Sequence, residues 1–124
     1  MEEYIKRKKG IAAEKFAWRL LKKKGYRLIK KNFSCKTGEI DLIVYDPEFK
    51  EVVFVEVRFR DSSIEDAIES INYVKQKKIR RTAEYFLMIS TKYQEAFTRF
   101  DVVAISLNEK KKFISKHIPD AFRD

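Results

Sequence analysis

Apolar positions along the chain follow two periods, and the switches between them mark the elements. From about Glu3 to Lys24 the spacing is helical. Lys15, Arg19, Lys22 and Lys23 take one side, and Ile11, Phe16, Ala17, Trp18, Leu20 and Leu21 take the rest. Gly25 supplies the stop. Period-two alternation follows. It predicts strands over Tyr26–Asn32, Gly38–Tyr45 and Val52–Phe59, with turn chemistry at Asp46 and Pro47 between the last two. Ser62 and Ser63 precede Glu65 and Asp66 at capping-box spacing, so one long helix is expected from about Ile64 to about Ser90. Its apolar face holds Ile64, Ala67, Ile68, Ile71, Val74, Ile79 and Phe86. Phe100–Leu107 is apolar on both faces and reads as a central fourth strand; Lys112–His117 suits a fifth. The order α-β-β-β-α-β(-β) predicts an α/β fold, a mixed sheet of four to five strands flanked by helices, within a single domain over residues 1–124.

Four charged side chains break these patterns. In the second strand Ile40, Leu42 and Val44 share one face, leaving Asp41 on the other with Glu39, Ile43 and Tyr45. In the third, Val53, Val55, Val57 and Phe59 share a face opposite Glu56 and Arg58. Matching the apolar faces puts Asp41, Glu56 and Arg58 together. If Asp46 and Glu51 close the hairpin, Asp41 lies directly opposite Glu56; a two-residue shift makes them diagonal neighbours instead. Two carboxylates about 5 Å apart repel by about 3 kcal/mol at an effective dielectric near 20. Two arrangements answer that repulsion. One is a divalent cation, for which carboxylate oxygens are suited ligands. The other is an ion-pair ladder, with Glu39 and Arg58 neutralising the acids. On the helices, Glu14 falls inside the apolar arc of the first, flanked by Ile11, Trp18 and Leu21, and Lys75 projects from the apolar face of the second. Local inconsistencies of this kind concentrate at functional sites.

Charge narrows the partner. Lys and Arg outnumber Asp and Glu by 28 to 19, a net charge of +9. A small basic chain points to a polyanion, and nucleic acid fits better than a membrane surface because the basic residues are spread along the sequence. The single cysteine, Cys35, excludes a disulfide framework and a Cys-based zinc site within one chain. No apolar run approaches the roughly 20 residues of a membrane span, and the N-terminus lacks a signal-peptide core. A cytoplasmic protein with no membrane partner is expected.

The blocks GIAAEKFA, GEIDLI, VFVEVRFR, VKQKK and RFDVVAI, in this order and through the C-terminal PDAF, resemble the YraN-like family of uncharacterised bacterial proteins. That family is placed in the Holliday-junction-resolvase branch of the PD-(D/E)XK nuclease superfamily. The resemblance implies a restriction-endonuclease-like core. Position by position, the acidic strand residue falls on Asp41, the (D/E)XK element on Glu56, Val57 and Arg58, the first-helix glutamate on Glu14, and the supporting residue of the later helix on Lys75. Arg58 stands where the superfamily has lysine, and Ile40 replaces the proline of its dipeptide.

The implied activity is metal-dependent endonucleolytic hydrolysis of DNA, with branched DNA as the substrate the resolvase branch suggests. Asp41, Glu56 and the Val57 carbonyl would hold Mg²⁺ or Mn²⁺. Glu14 would act through a second metal or a bound water. Arg58 can stabilise developing negative charge but cannot serve as a base, because its pKa lies above 12. The run Lys75, Lys77, Lys78, Arg80 and Arg81 continues from this set and suits phosphates, DNA rather than RNA being the expected polymer. Resolvase-like nucleases often work as dimers, which makes a homodimer the implied assembly. The alternative is a nucleic-acid-binding module that keeps the fold without cleavage, and a third reading is a scaffold whose acids only pair with Arg58 and Lys75. His117 and Asp101 read as structural residues, and Cys35 as incidental.

Overall fold

A computed structural model describes residues 1–123. The elements are α1 (Glu2–Lys23), β1 (Arg27–Cys35), β2 (Gly38–Asp46), β3 (Glu51–Phe59), α2 (Ile64–Glu69), α3 (Tyr73–Ile89), β4 (Phe97–Leu107) and β5 (Phe113–Ile118). The strands form one five-stranded sheet in the order β1-β2-β3-β4-β5. Three pairings are antiparallel and β3–β4 is parallel, as a mixed sheet requires when helices carry the chain from β3 back to β4.

Each face of the sheet buries its own apolar cluster. Ala13, Ala17 and Leu21 of α1 cover Leu42, Val44, Val53, Val55, Val103 and Ile105. On the other face Ala67, Ile71, Ile79, Ala83 and Phe86 of the α2–α3 segment cover Ile43, Val52, Phe54, Val102 and Ala104. α1 ends as its sequence requires. Gly25 adopts φ +95° just past the Lys24 cap, and the Gly25 and Tyr26 amides return to Lys22 and Leu21. In the opposite direction, the first turns of α1 run past the core. Residues 1–9 are exposed and burial begins at Ala13. Gly10 lies in this stretch, where a mid-helix glycine costs about 1 kcal/mol relative to alanine.

The expected long helix is two helices. α2 stops after Glu69, and α3 begins afresh at Tyr73 behind Asn72, whose side chain accepts the Lys75 amide at 3.0 Å. An extended Asn72 that satisfies an orphan amide of the following turn outcompetes continuation of the helix. Val74, in the first turn of α3, is 60% exposed and does not join the buried face expected for it. β1 runs three residues further than its expected end, to Cys35, whose Sγ sits 3.1 Å from Thr37 Oγ1, so that residue is strand rather than loop. β4 begins three residues before its expected start.

Candidate functional site

The β2–β3 hairpin is closed by Asp46 opposite Glu51. Asp46 Oδ1 accepts the Glu48 and Phe49 amides and so shapes the turn. The ladder then runs to Leu42 opposite Val55 and ends there. One step further Asp41 faces Glu56, but β2 has left β3 by that point. The Asp41 carboxylate accepts the Val57 N–H at 2.7 Å, taking the place of a strand partner for that amide. β3 stays paired with β4 as far as Phe59 and Ile105. The site thus lies at a fork, with β3 held on one side and open on the other.

The fork also corrects the alternation read from sequence. Ile40 packs with Phe33, Ile43 and Phe54, on the face opposite Leu42 and Val44. Across from Asp41 in the β1–β2 register stands Asn32, with φ +50°, between the pairs Lys31–Leu42 and Phe33–Ile40. A left-handed residue there breaks the pleat, and asparagine tolerates that conformation better than most residues.

Electrostatics around the fork are unusual. Glu56 is 9% exposed, and burial followed by the Asp41 charge raises its pKa to about 8 against the opposing pull of Arg58. Burial also raises Asp41, opposed first by the Val57 N–H. The proximity of the two acids favours the acid form of Glu56, which holds its proton near neutrality. Arg58 Nη2 lies 2.9 Å from Glu56 Oε2, while Arg58 Nε is buried and has no hydrogen-bond partner among the described residues.

Glu14 approaches from α1. Burial, then Asp41 and Glu39, raise its pKa to about 7. With its amide nitrogen turned toward the acids, Asn32 donates to Glu14 Oε1 at 2.7 Å and to Glu39 Oε1 at 3.2 Å. This link was invisible in the sequence, because Asn32 reads there only as the polar end of a strand. Lys75 reaches the fork from the first turn of α3. It is exposed, and its charge stabilises both Asp41 and Glu56 as anions without forming an ion pair among the described contacts. Its place is the start of a helix rather than the middle of an apolar face. Lys77, Lys78 and Arg81 are exposed on α3, and Lys77, Arg80 and Arg81 line an open depression with Tyr73, whose ring lies 6.0 Å from the Arg80 guanidinium carbon.

The donor set suits a hard divalent cation of limited kind. Among the described residues no three His, Cys, Asp or Glu side chains are grouped to hold a metal. One buried and one half-buried carboxyl group in a fork, with backbone beside them, match the way Mg²⁺ is bound by one or two acids while water and substrate phosphate fill the remaining positions.

A second charged cluster lies at the other end of β3, roughly 17 Å from Glu56 at about 3.3 Å per residue. Arg99 is its centre, spending Nε on Asp101, Nη1 on Asp46 and Glu51, and Nη2 on Tyr26 and Asp101. Burial alone would raise Asp101, but hydrogen bonds from His117 and Arg99 outweigh it and hold the carboxyl below its ordinary value. His117 bridges Asp101 at 2.8 Å and Lys24 at 2.9 Å. With every guanidinium N–H engaged, Arg99 ties the β2–β3 turn to β4, a structural task that agrees with the structural reading of His117 and Asp101.

The profile of the uncharacterised protein family UPF0102 matches residues 13–105. A UPF0102 protein of Caldanaerobacter subterraneus subsp. tengcongensis is 38% identical over 98% of this chain and all of its own length. UPF0102 proteins of Pseudomonas syringae pv. syringae and Nitrosococcus oceani are 42% and 40% identical, over 85% and 99% of this chain and 85% and 98% of their own. No helix among the described residues is long and apolar enough to cross a membrane.

Proposed function

The chain belongs to the uncharacterised protein family UPF0102, and on that premise we propose that it binds nucleic acid and hydrolyses phosphodiester bonds with the help of a divalent cation. The observation that carries this reading is the Asp41–Glu56 pair. A buried acid and a half-buried one placed together at a strand fork destabilise the fold unless something compensates, and Asp41 is fixed there by the Val57 amide. Asp41, Glu56 and the Val57 carbonyl would hold Mg²⁺ or Mn²⁺, and Glu14 would serve a second metal or a water. The cation, when bound, would polarise the phosphate and lower the pKa of the attacking water.

The remaining tasks fall to side chains of this chain. Arg58 would release Glu56 and turn its fork toward the phosphoryl oxygens, where a fixed positive charge stabilises the negative charge that develops. Glu14, poised near neutrality, can exchange a proton with water. Lys75, Lys77, Lys78, Arg80 and Arg81 would hold flanking phosphates, which orients the polymer without reading its sequence. DNA is the proposed polymer, and a homodimer the proposed working form.

One observation favours a second reading. Arg58 Nη2 already lies 2.9 Å from Glu56 Oε2 and sets a positive charge against the fork, and a module that binds nucleic acid without cutting would have no need to break that contact. Incubation with plasmid, linear and branched DNA, with Mg²⁺ or Mn²⁺ and with chelator, separates the two. Metal-dependent cleavage supports the nuclease, and retained DNA with measurable binding supports the module.

A further inference from the structure

A groove of about 600 Å³ lies between the projecting start of α1 and the C-terminal end of β3. Lys6, Lys9 and Gly10 line it from the helix; Arg58, Arg60 and Asp61 line it from the strand and the residues that follow. It therefore opens from the fork on the α1 side, away from the basic depression on α3. Its charge is lopsided, with Asp61 the one acid against four cationic side chains.

Gly10 is the telling residue. It is the ninth residue of the 22-residue α1, where glycine weakens the helix. Its φ is not positive, so the backbone does not require glycine. A Cβ built on it would meet nothing within 4 Å, so packing within the chain does not require glycine either. The space beside Gly10 is the groove. A glycine that the protein's own structure does not need, on the wall of a cationic groove that leads to a carboxylate pair, is explained by the close approach of a ligand backbone. Arg58 Nε, without a hydrogen-bond partner among the described residues, supplies a further donor on the groove's wall.

We propose that this groove seats the sugar-phosphate backbone of one nucleic-acid strand. Lys6, Lys9 and Arg60 hold successive phosphates, Gly10 gives the strand clearance against the helix, and Arg58 marks where it reaches the fork. This rests on the nucleic-acid reading above and extends it to a surface that the basic run on α3 does not include. The two surfaces meet the polymer from opposite faces of the sheet.

The test uses the full chain and a fluorescently labelled oligonucleotide, single-stranded and duplex, titrated at several salt concentrations. Two variants are compared with wild type. Gly10→Gln fills the clearance while improving the helix, so its melting temperature should equal or exceed wild type by about 2–4 °C, while affinity falls by roughly tenfold. Lys6→Ala with Lys9→Ala should weaken binding and flatten the dependence of log affinity on log salt by roughly one unit per lost contact. If wild type binds and both variants bind as wild type does, the groove assignment is overturned while the nucleic-acid reading stands on the α3 surface. If wild type binds neither oligonucleotide at low salt, the nucleic-acid reading and the groove fall together.

Discussion

The Asp41 carboxylate accepts the Val57 amide at 2.7 Å, at the point where β2 leaves β3. A side chain there does the work of a strand. It keeps the exposed edge of β3 satisfied and leaves room beside Glu56 that a continued ladder would fill. The same bond fixes the half-buried acid beside buried Glu56, and the fold carries the cost of placing two carboxyl groups together.

That cost sets a pH dependence. A carboxyl group whose pKa is raised in the folded state is bound more weakly by its proton in the unfolded chain, so folding loses stability as pH rises between the two values. Glu56 spans 4.5 to about 8 and Glu14 spans 4.5 to about 7, with Asp41 shifted in the same direction. The melting temperature of the metal-free protein is expected to fall from pH 5.5 to pH 8.5. Glu56→Gln should flatten that slope, and Asp41→Asn should raise stability at pH 8 by about 1 kcal/mol, or roughly 3–6 °C. Asparagine keeps an oxygen for the Val57 amide. Thermal unfolding across this pH range checks both outcomes, and a melting temperature that climbs through it would contradict carboxyl groups whose pKa is raised in the fold.

The Arg99 cluster should behave as a fold determinant. Arg99→Met leaves Asp46 and Asp101 buried without their cation, and breaking a buried pair from one side costs about 3–5 kcal/mol. Urea unfolding should show a loss of that size. Loss of under about 1 kcal/mol would mean that the cluster is solvated and its hydrogen bonds are dispensable.

Much of the sheet was legible because the reasons for it are local. Alternation delimited β2 and β3, but it left two registers open, and the structure selects the one in which Asp46 and Glu51 close the hairpin. Gly25 marked the end of α1 for the same local reason. The helix break at Ser70–Asn72 was not legible, because Ile64, Ala67, Ile68, Ile71 and Ile79 fit one continuous apolar face and only the Asn72 cap decides otherwise. Ile40 misled in another way. Its change of face depends on Asn32 in the neighbouring strand, which alternation along β2 alone does not register. The Arg99 cluster joins Tyr26, Asp46, Glu51, Asp101 and His117, residues so scattered that only the assembled sheet brings them together.

On α3, Lys77→Ala with Lys78→Ala should weaken DNA binding and lower the salt slope by roughly one unit per lost phosphate contact. Glu56→Gln should keep or tighten binding, since it removes an acid that repels phosphate, while any cleavage stops. Fluorescence anisotropy over a range of salt concentrations measures both. Equal loss of binding in the two variants would place Glu56 among the groups that grip the polymer, against its proposed role.

The most direct test of the central claim, that the fork is a divalent-cation site, is calorimetric titration of Mn²⁺ into wild type and Asp41→Asn near pH 7, in two buffers of different ionisation enthalpy. Wild type is expected to bind and to release a proton as it does so, because Glu56 holds one before the metal arrives, and Asp41→Asn is expected to lose this binding. Equal affinity in the two proteins, or binding with no proton released, would contradict it.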